Sequence, residues 1–276
     1  MRIQIAHSTV YRYARPPNGV MQILRLTPRN HDGQYVVRWR IDVSRDCHLH
    51  QHVDAFGNII HTFTADGPLD ELSVAVDGEV ETQDTQGVVA GALELFPPSL
   101  FLRETSLTRP NAAIIAFADE FKAAASGPGT LAALHGLLGR IHQEIVFDTD
   151  STHVATTAVE AFALRRGVCQ DLSHIFISAV RSLGVPARYA GGYFHRADGV
   201  LVQDAGHAWA EAYIPDLGWV AFDPANGICG TDAHVRVAVG LDYLNAAPVR
   251  GTHFGGGGET LTVAVHVAQA AGQAQN

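Results

Sequence analysis

The chain has 276 residues, 47% hydrophobic and 17% charged, which describes a globular protein long enough for one large or two moderate cores. A formal net charge of −9 with no basic cluster argues against nucleic acid or an anionic membrane surface as the main partner. The three cysteines cannot all pair and show no zinc-ribbon or C-x-x-C spacing, the start alternates where a signal peptide would be apolar, and no apolar run nears the ~18 residues of a membrane helix, so a cytoplasmic location is expected.

From Arg2 to about Thr82 the hydrophobic period is two. Val37, Trp39, Ile41 and Val43 alternate with Arg38, Arg40 and Asp42, and Leu72, Val74 and Val76 alternate with Ser73, Ala75 and Asp77. Gly, Pro and Asn punctuate the run at Pro16 to Gly19, His31 to Gly33, Phe56 to Asn58 and Asp66 to Pro68. Five to seven antiparallel strands are therefore expected, forming a sandwich or half-barrel with one buried face. His48, His50 and His52 would project from one strand face. Ligands in a row about 7 Å apart do not converge on one ion, so they read as a solvated face and not as a metal site. Asp54, Gly57 and Asn58 read as a turn that fixes register.

The pattern weakens between Gln83 and Pro110, which places a domain boundary near residue 100. Helical spacing follows at Ala113 to Phe121, and then at Leu131 to Ile145 with Thr130 as its N-cap. His135 and His142 are expected to be partly buried in that second helix. Thr156 or Thr157 caps a short helix over Ala158 to Arg165.

The sequence R-R-G-V-C-Q-D-L-S-H-I-F-I-S-A-V-R-S-L, Arg165 to Leu183, predicts a mostly buried helix with Cys169 in its first turn. Cys169, Leu172, Ile175, Phe176, Ala179, Val180 and Leu183 share one arc, with Gln170, Asp171, His174, Ser178, Arg181 and Ser182 opposite. A thiol at a helix start meets unsatisfied backbone N–H groups and the positive end of the dipole, both of which favour thiolate. A nucleophilic cysteine also needs a base and a group that orients the base. Strand patterns at Ala187 to His195, His207 to Ile214 and Gly218 to Phe222 supply both. His207 opens one strand and Asp223 ends its neighbour, so an antiparallel pair joined at Pro215 to Gly218 can set imidazole against carboxylate. Leu241 to Ala246 then suggests a helical turn, Gly255 to Gly258 a connector, and Leu261 to Val267 a last strand that returns to a sheet.

At these residues the chain resembles the transglutaminase-like core of the papain-like superfamily of thiol enzymes. The resemblance covers Thr156 to Gly227, where G-V-C-Q-D-L-S-H around Cys169, H-A-W around His207 and F-D-P-A-N-G around Asp223 fall where that family places nucleophile, base and orienting acid. The N-terminal H-S-T-V-Y-R-Y, L-R-L-T-P-R and D-A-F-G-N are similar to the β-rich region that precedes the core in bacterial members. The implied fold is α+β, with a papain-like core in which the nucleophile helix packs on an antiparallel sheet. Residues 1–100 would form the β-rich N-terminal domain, residues 101–268 the catalytic core with its C-terminal strand, and residues 269–276 a disordered tail.

The expected chemistry is attack of Cys169 on a peptide or protein amide, with His207 shuttling the proton, Asp223 orienting the imidazole, and neither cofactor nor metal. The Cys169 backbone N–H is one expected oxyanion donor, with Gln170 and Trp209 as candidates for the second. Asp171 and His174, at i and i+3, are expected to hydrogen-bond one another in a supporting role. Short connections between Cys169 and Asp223 leave little material for a shielding tunnel, which favours hydrolysis; amine transfer through the same thioester is the alternative. A binding module that keeps the scaffold without the chemistry is the rival from another class.

Overall fold

The computed structural model describes residues 1–270, so the expected tail lies outside the described residues apart from Gln269 and Ala270. The N-terminal strands are β1 (Arg2–Arg15), β2 (Gly19–Thr27), β3 (Gln34–Val43), β4 (His50–Val53), β5 (Ile59–Asp66) and β6 (Glu71–Thr82). A short β7 (Val88–Val89) precedes α1 (Ala112–Asp119), α2 (Thr130–Glu144), β8 (Val146–Phe147), α3 (Ala158–Leu164), β9 (Arg166–Gly167) and α4 (Cys169–Ser182). After these come β10 (Ala187–Phe194), β11 (Val202–Gln203), β12 (His207–Ile214), β13 (Gly218–Asp223), β14 (Ile228–Cys229) and β15 (His234–Gly240). The chain closes with α5 (Tyr243–Ala246), β16 (Val249–Phe254) and β17 (Gly257–Gln269).

The fold is mixed α and β, with two antiparallel N-terminal sheets ordered β11-β17-β1-β6-β3 and β16-β2-β5-β4, and a third ordered β14-β13-β12-β10-β15. The C-terminal strands belong with the first two sheets. β17 pairs with β1 along nearly its whole length, from Ile3↔Gln269 to Arg15↔Gly257, and β16 pairs with β2. The β-rich unit is thus closed by the end of the chain, whereas the sequence placed the last strand in the catalytic core. The sequence signal was real but carried no partner: alternation in Leu261 to Val267 specifies a strand, and only the match to the long β1 selects its sheet.

β1 joins the two parts of the molecule. Its inward residues alternate as expected for a half-buried strand. Ile3 and Ile5 enter the core built around α4, while Tyr11 and Tyr13 enter a second core with Val20, Leu24, Phe63 and Val74. Between them the His7 ring meets the Tyr193 hydroxyl at 3.0 Å and the Thr9 hydroxyl at 3.0 Å. Burial lowers the His7 pKa to about 4, so the contact is between neutral groups.

The main core buries α4 between the third sheet and α1, α2 and α3. Ile175, Phe176, Ala179 and Val180 meet Ala208, Ala210 and Ala212 of β12, with Leu134, Leu137 and Ile141 of α2 behind. Alanine at alternate positions of β12 lets the helix approach closely. The polar side of α4 is buried too, for Asp171, Ser173, His174, Ser178 and Arg181 are all enclosed. Arg181 resolves its own burial by donating to the carbonyls of Phe101, Ala187 and Leu241. Of the two caps expected for α3, Thr157 is the one used, in a reciprocal pair with Glu160. Thr130 is instead the first residue of α2, its hydroxyl donating back to the Gly127 carbonyl. His135 and His142 are exposed, not partly buried.

β15 is an outer strand of its sheet, with free backbone groups that amides of the N-terminal unit cover. Asn58 both accepts from the Val239 N–H and donates to its carbonyl, each at 2.8 Å, and Gln34 does the same for Arg236. The Asp54 to Asn58 turn is therefore also a docking device. It keeps the sequence's register role, because Asp54 Oδ1 accepts from the N–H groups of Phe56 and Asn58.

Candidate active site

The nucleophile helix starts abruptly. Gly167 ends β9, Val168 is extended (φ −95°, ψ −179°), and the helix begins at Cys169. Asp171 Oδ2 folds back to accept the Val168 N–H at 2.9 Å and the Thr152 hydroxyl at 2.6 Å. A Cβ on Gly167 would stand 2.7 Å from both Cβ and Oδ2 of Asp171, so only glycine leaves room for that carboxylate. Burial raises the Asp171 pKa, opposed by these two hydrogen bonds.

Two neighbouring candidates, Gln170 and His174, are occupied elsewhere. Gln170 donates its amide to the Val154 carbonyl at 3.1 Å, which ties the segment before α3 to the start of α4. His174 accepts the Tyr243 N–H on Nε2 at 3.1 Å, and burial lowers its pKa to about 3. The expected Asp171 to His174 hydrogen bond is thus absent, because the cap takes the carboxylate and α5 takes the imidazole. Trp209 packs with Ala190, Ala221 and Val239, its ring 5.2 Å from that of His234. His48, His50 and His52 are exposed, with His48 outside β4 and its ring 4.4 Å from that of His50.

Cys169 is half-buried, its sulfur raises the pKa of His207, and His207 in turn donates from Nε2 to Asp223 Oδ2 at 2.7 Å. β12 and β13 run antiparallel with Ala210 opposite Phe222, so His207 and Asp223 stand at the same end of the pair. The Phe194 ring packs against the His207 imidazole, centroids 5.1 Å apart. Burial alone would lower the His207 pKa, but the Asp223 carboxylate and the Cys169 sulfur outweigh it and hold the imidazolium up to about 10. Asp223, fully enclosed, is held well below the usual carboxylate range because His207 and His234 outweigh the effect of burial.

Asp223 is unusually well supplied with donors. The backbone N–H groups of Ala225 and Asn226 reach Oδ1 at 3.1 and 3.2 Å, an Asx turn that Pro224 helps to shape. Oδ2 accepts from His207, from the Asn226 amide at 2.7 Å and from His234 Nε2 at 3.1 Å. His142 donates from Nδ1 to the Pro224 carbonyl at 3.2 Å and braces the same turn from α2. Asn226 was visible in the sequence as the N of F-D-P-A-N-G, three places after the acid. His234 and His142 carried no local signal, because they arrive from other elements.

His207, Asp223 and His234 present ligand atoms within 4.8 Å of one another, a grouping that could hold a metal ion. The hydrogen bonds favour a different use: Oδ2 already accepts three donors, and His234 Nδ1 accepts the Thr231 N–H, which leaves the proton on Nε2.

Fold and site together define a class: an α+β scaffold that sets a helix-start cysteine against a histidine and an aspartate on adjacent strands. Residues 3–81 match the bacterial transglutaminase-like N-terminal region, and residues 115–224 match the transglutaminase-like superfamily core. The chain belongs to the transglutaminase-like superfamily. It is 29% identical to an uncharacterised protein of Mycobacterium leprae over 98% of this chain and 99% of that one. A protein-glutamine gamma-glutamyltransferase of Pseudomonas aeruginosa is 30% identical over 49% of this chain but only 22% of its own length. The crystal structure of a candidate cysteine protease from Cytophaga hutchinsonii superposes with a TM-score of 0.70, covering 100% of this chain and 92% of that one at 20% identity, a likeness of fold.

Proposed function

We propose that the protein is a thiol-dependent amide hydrolase acting on peptides or proteins through Cys169, His207 and Asp223. The observation that carries this is the His207 imidazole, which donates at 2.7 Å to the enclosed Asp223 carboxylate and whose charged form the Cys169 sulfur at the start of α4 also favours. The Cys169 thiolate attacks the amide carbonyl carbon, and the resulting oxyanion takes a hydrogen bond from the Cys169 N–H, free at a helix start. The C–N bond breaks as the His207 imidazolium protonates the departing amine, leaving an acyl thioester. Water then adds to the thioester while neutral His207 takes its proton, and release of the acid restores the Cys169 thiolate beside the His207 imidazolium. Asp223 fixes the imidazole so that its second ring nitrogen faces the sulfur and stabilises the charged form. The three unpaired cysteines fit a reducing compartment, and we propose a cytoplasmic location on that ground. Among the described residues no helix is long and apolar enough to cross a membrane.

Hydrolysis is favoured over transfer because the connections between Cys169 and Asp223 are short, and the longest of them, between β10 and β12, is tied through β11 to β17 of the N-terminal unit. Long lids need long loops, and these connections supply little material for one. The second reading, transfer of the acyl group to an amine, is favoured by the partial likeness to the P. aeruginosa gamma-glutamyltransferase. A glutamine-rich unfolded protein incubated with millimolar primary amine separates them. Free acid is expected to dominate; amine conjugate exceeding acid across several amines would overturn hydrolysis.

A further inference from the structure

We infer that His234 is a fourth, positioning member of the site: a neutral imidazole that donates to Asp223 and holds its carboxylate in the orientation that His207 requires. The inference rests on the thiol acyl-transfer reading but makes a separate claim about a separate residue. His234 starts β15, which pairs with β10 and not with the β12–β13 pair that carries His207 and Asp223. It reaches the acid from the side, through Phe194↔His234 pairing.

The direction of its hydrogen bonds follows from its neighbours. A backbone N–H can only donate, so the 3.1 Å contact from Thr231 N makes Nδ1 an acceptor. The proton of a neutral ring is then on Nε2, 3.1 Å from Asp223 Oδ2, where a carboxylate can only accept. The tautomer is therefore fixed by the fold. The ring has little freedom to turn, lying between Phe194 at 4.7 Å and Trp209 at 5.2 Å. Phe194 also covers His207, so one aromatic face aligns both imidazoles.

The arrangement solves a specific problem. Asp223 sits at the last position of β13, before a turn, where a lone carboxylate could rotate about its χ2 and release His207. Oδ1 is fixed by the Asx turn, and Oδ2 must point at His207 without swinging. The Asn226 amide restrains Oδ2 from within the same turn, and a donor from a third strand restrains it from outside that turn, adding no charge that would compete with the imidazolium of His207. Trp209, a candidate oxyanion donor, acquires a further role in this scheme. It buttresses the positioning histidine.

The test is iodoacetamide alkylation of Cys169 at neutral pH, mapped by mass, in the full chain and in His234→Ala and His234→Gln. Wild type is expected to label Cys169 selectively, His234→Ala to label it about tenfold more slowly, as for loss of one hydrogen bond to a charged group, and His234→Gln, which keeps an N–H donor, to recover most of the rate. Two-dimensional long-range 1H–15N spectra should show the Nε2–H tautomer for His234, with melting temperatures of the Gln variant close to wild type. If Cys169 labels selectively in wild type but equally fast in His234→Ala, or if His234 carries its proton on Nδ1, the positioning role is wrong while the thiol reading stands. If wild type shows no selective Cys169 labelling, the thiol reading itself fails. A rate that falls equally in both variants in step with a lowered melting temperature would mean a structural role only, and would also overturn the inference.

Discussion

At the scale of single residues, what decides the chemistry is which groups carry charge. His207 is raised to about 10, so its imidazolium contributes to stability fully below the ~6.5 of an unfolded histidine and loses that contribution as pH rises through about 10. Amide turnover, which needs the same proton for the departing amine, should show its alkaline limb near that value. Asp223→Asn removes the main group that raises His207, so the limb should move to lower pH and turnover should fall by a factor of ~100 or more. A pH–rate profile of both proteins checks this, and equal profiles would remove Asp223 from the mechanism. Gly167→Ala should act one step earlier: the new methyl meets Asp171, displaces the cap from Val168 and costs ~1 kcal/mol or more of stability, read by urea unfolding. In the sequence Gly167 is one glycine before a helix start. Its actual role, room for a neighbour's carboxylate, depends on how Asp171 turns and is invisible before the fold.

Among the elements, β12 carries more than the base. Glu211, four residues after His207, is fully enclosed and accepts Arg188 and Arg236, each from Nε at 2.7 Å; Arg188 also holds Glu94 through two bonds at 2.6 and 2.8 Å. Burial would raise the Glu211 pKa, but the two guanidinium groups outweigh it and bring it down to about 2. Its ionised form thus supports the fold above the ordinary carboxylate range, and that support is lost as pH falls through about 2. Glu211→Ala takes the shared acceptor from buried Arg188, which keeps only Glu94, and from half-buried Arg236, and should cost ~3–5 kcal/mol in urea unfolding at neutral pH. A loss below ~1 kcal/mol would mean that water or Glu94 replaces it. The sequence displayed the strand, H-A-W-A-E-A-Y-I, through its alternation, and the helix through its apolar arc. It could not display this network, because Glu94, Arg188, Glu211 and Arg236 come from four separated stretches. The same reason hid His234, whereas Cys169, His207 and Asp223 were legible through short motifs that each reside in one element.

For the whole molecule, the β-rich unit and the core are one construction, since β1 feeds both cores and its other flank is β17 from the far end of the chain. Period-two alternation announced both strands but not their pairing, so the sequence drew a boundary at residue 100 where the structure returns across it. Removal of residues 249–276 should therefore unfold more than a tail. It strips β17 from β1 and β16 from β2, exposing two long edges, and the truncated chain is expected to aggregate or to lose a cooperative thermal transition. A truncated chain that melts like the full one would contradict this view of the architecture. The central claim, that the fold assembles a working thiol centre at the start of α4, is tested most directly by site-mapped iodoacetamide alkylation across pH. Cys47 and Cys229 are both pushed upward by burial and serve as internal references. The account predicts that Cys169 is alkylated far faster than either near pH 6 and that His207→Ala abolishes this advantage. Labelling of Cys169 no faster than the others, rising only near the ~8.5 of a free thiol, would contradict it.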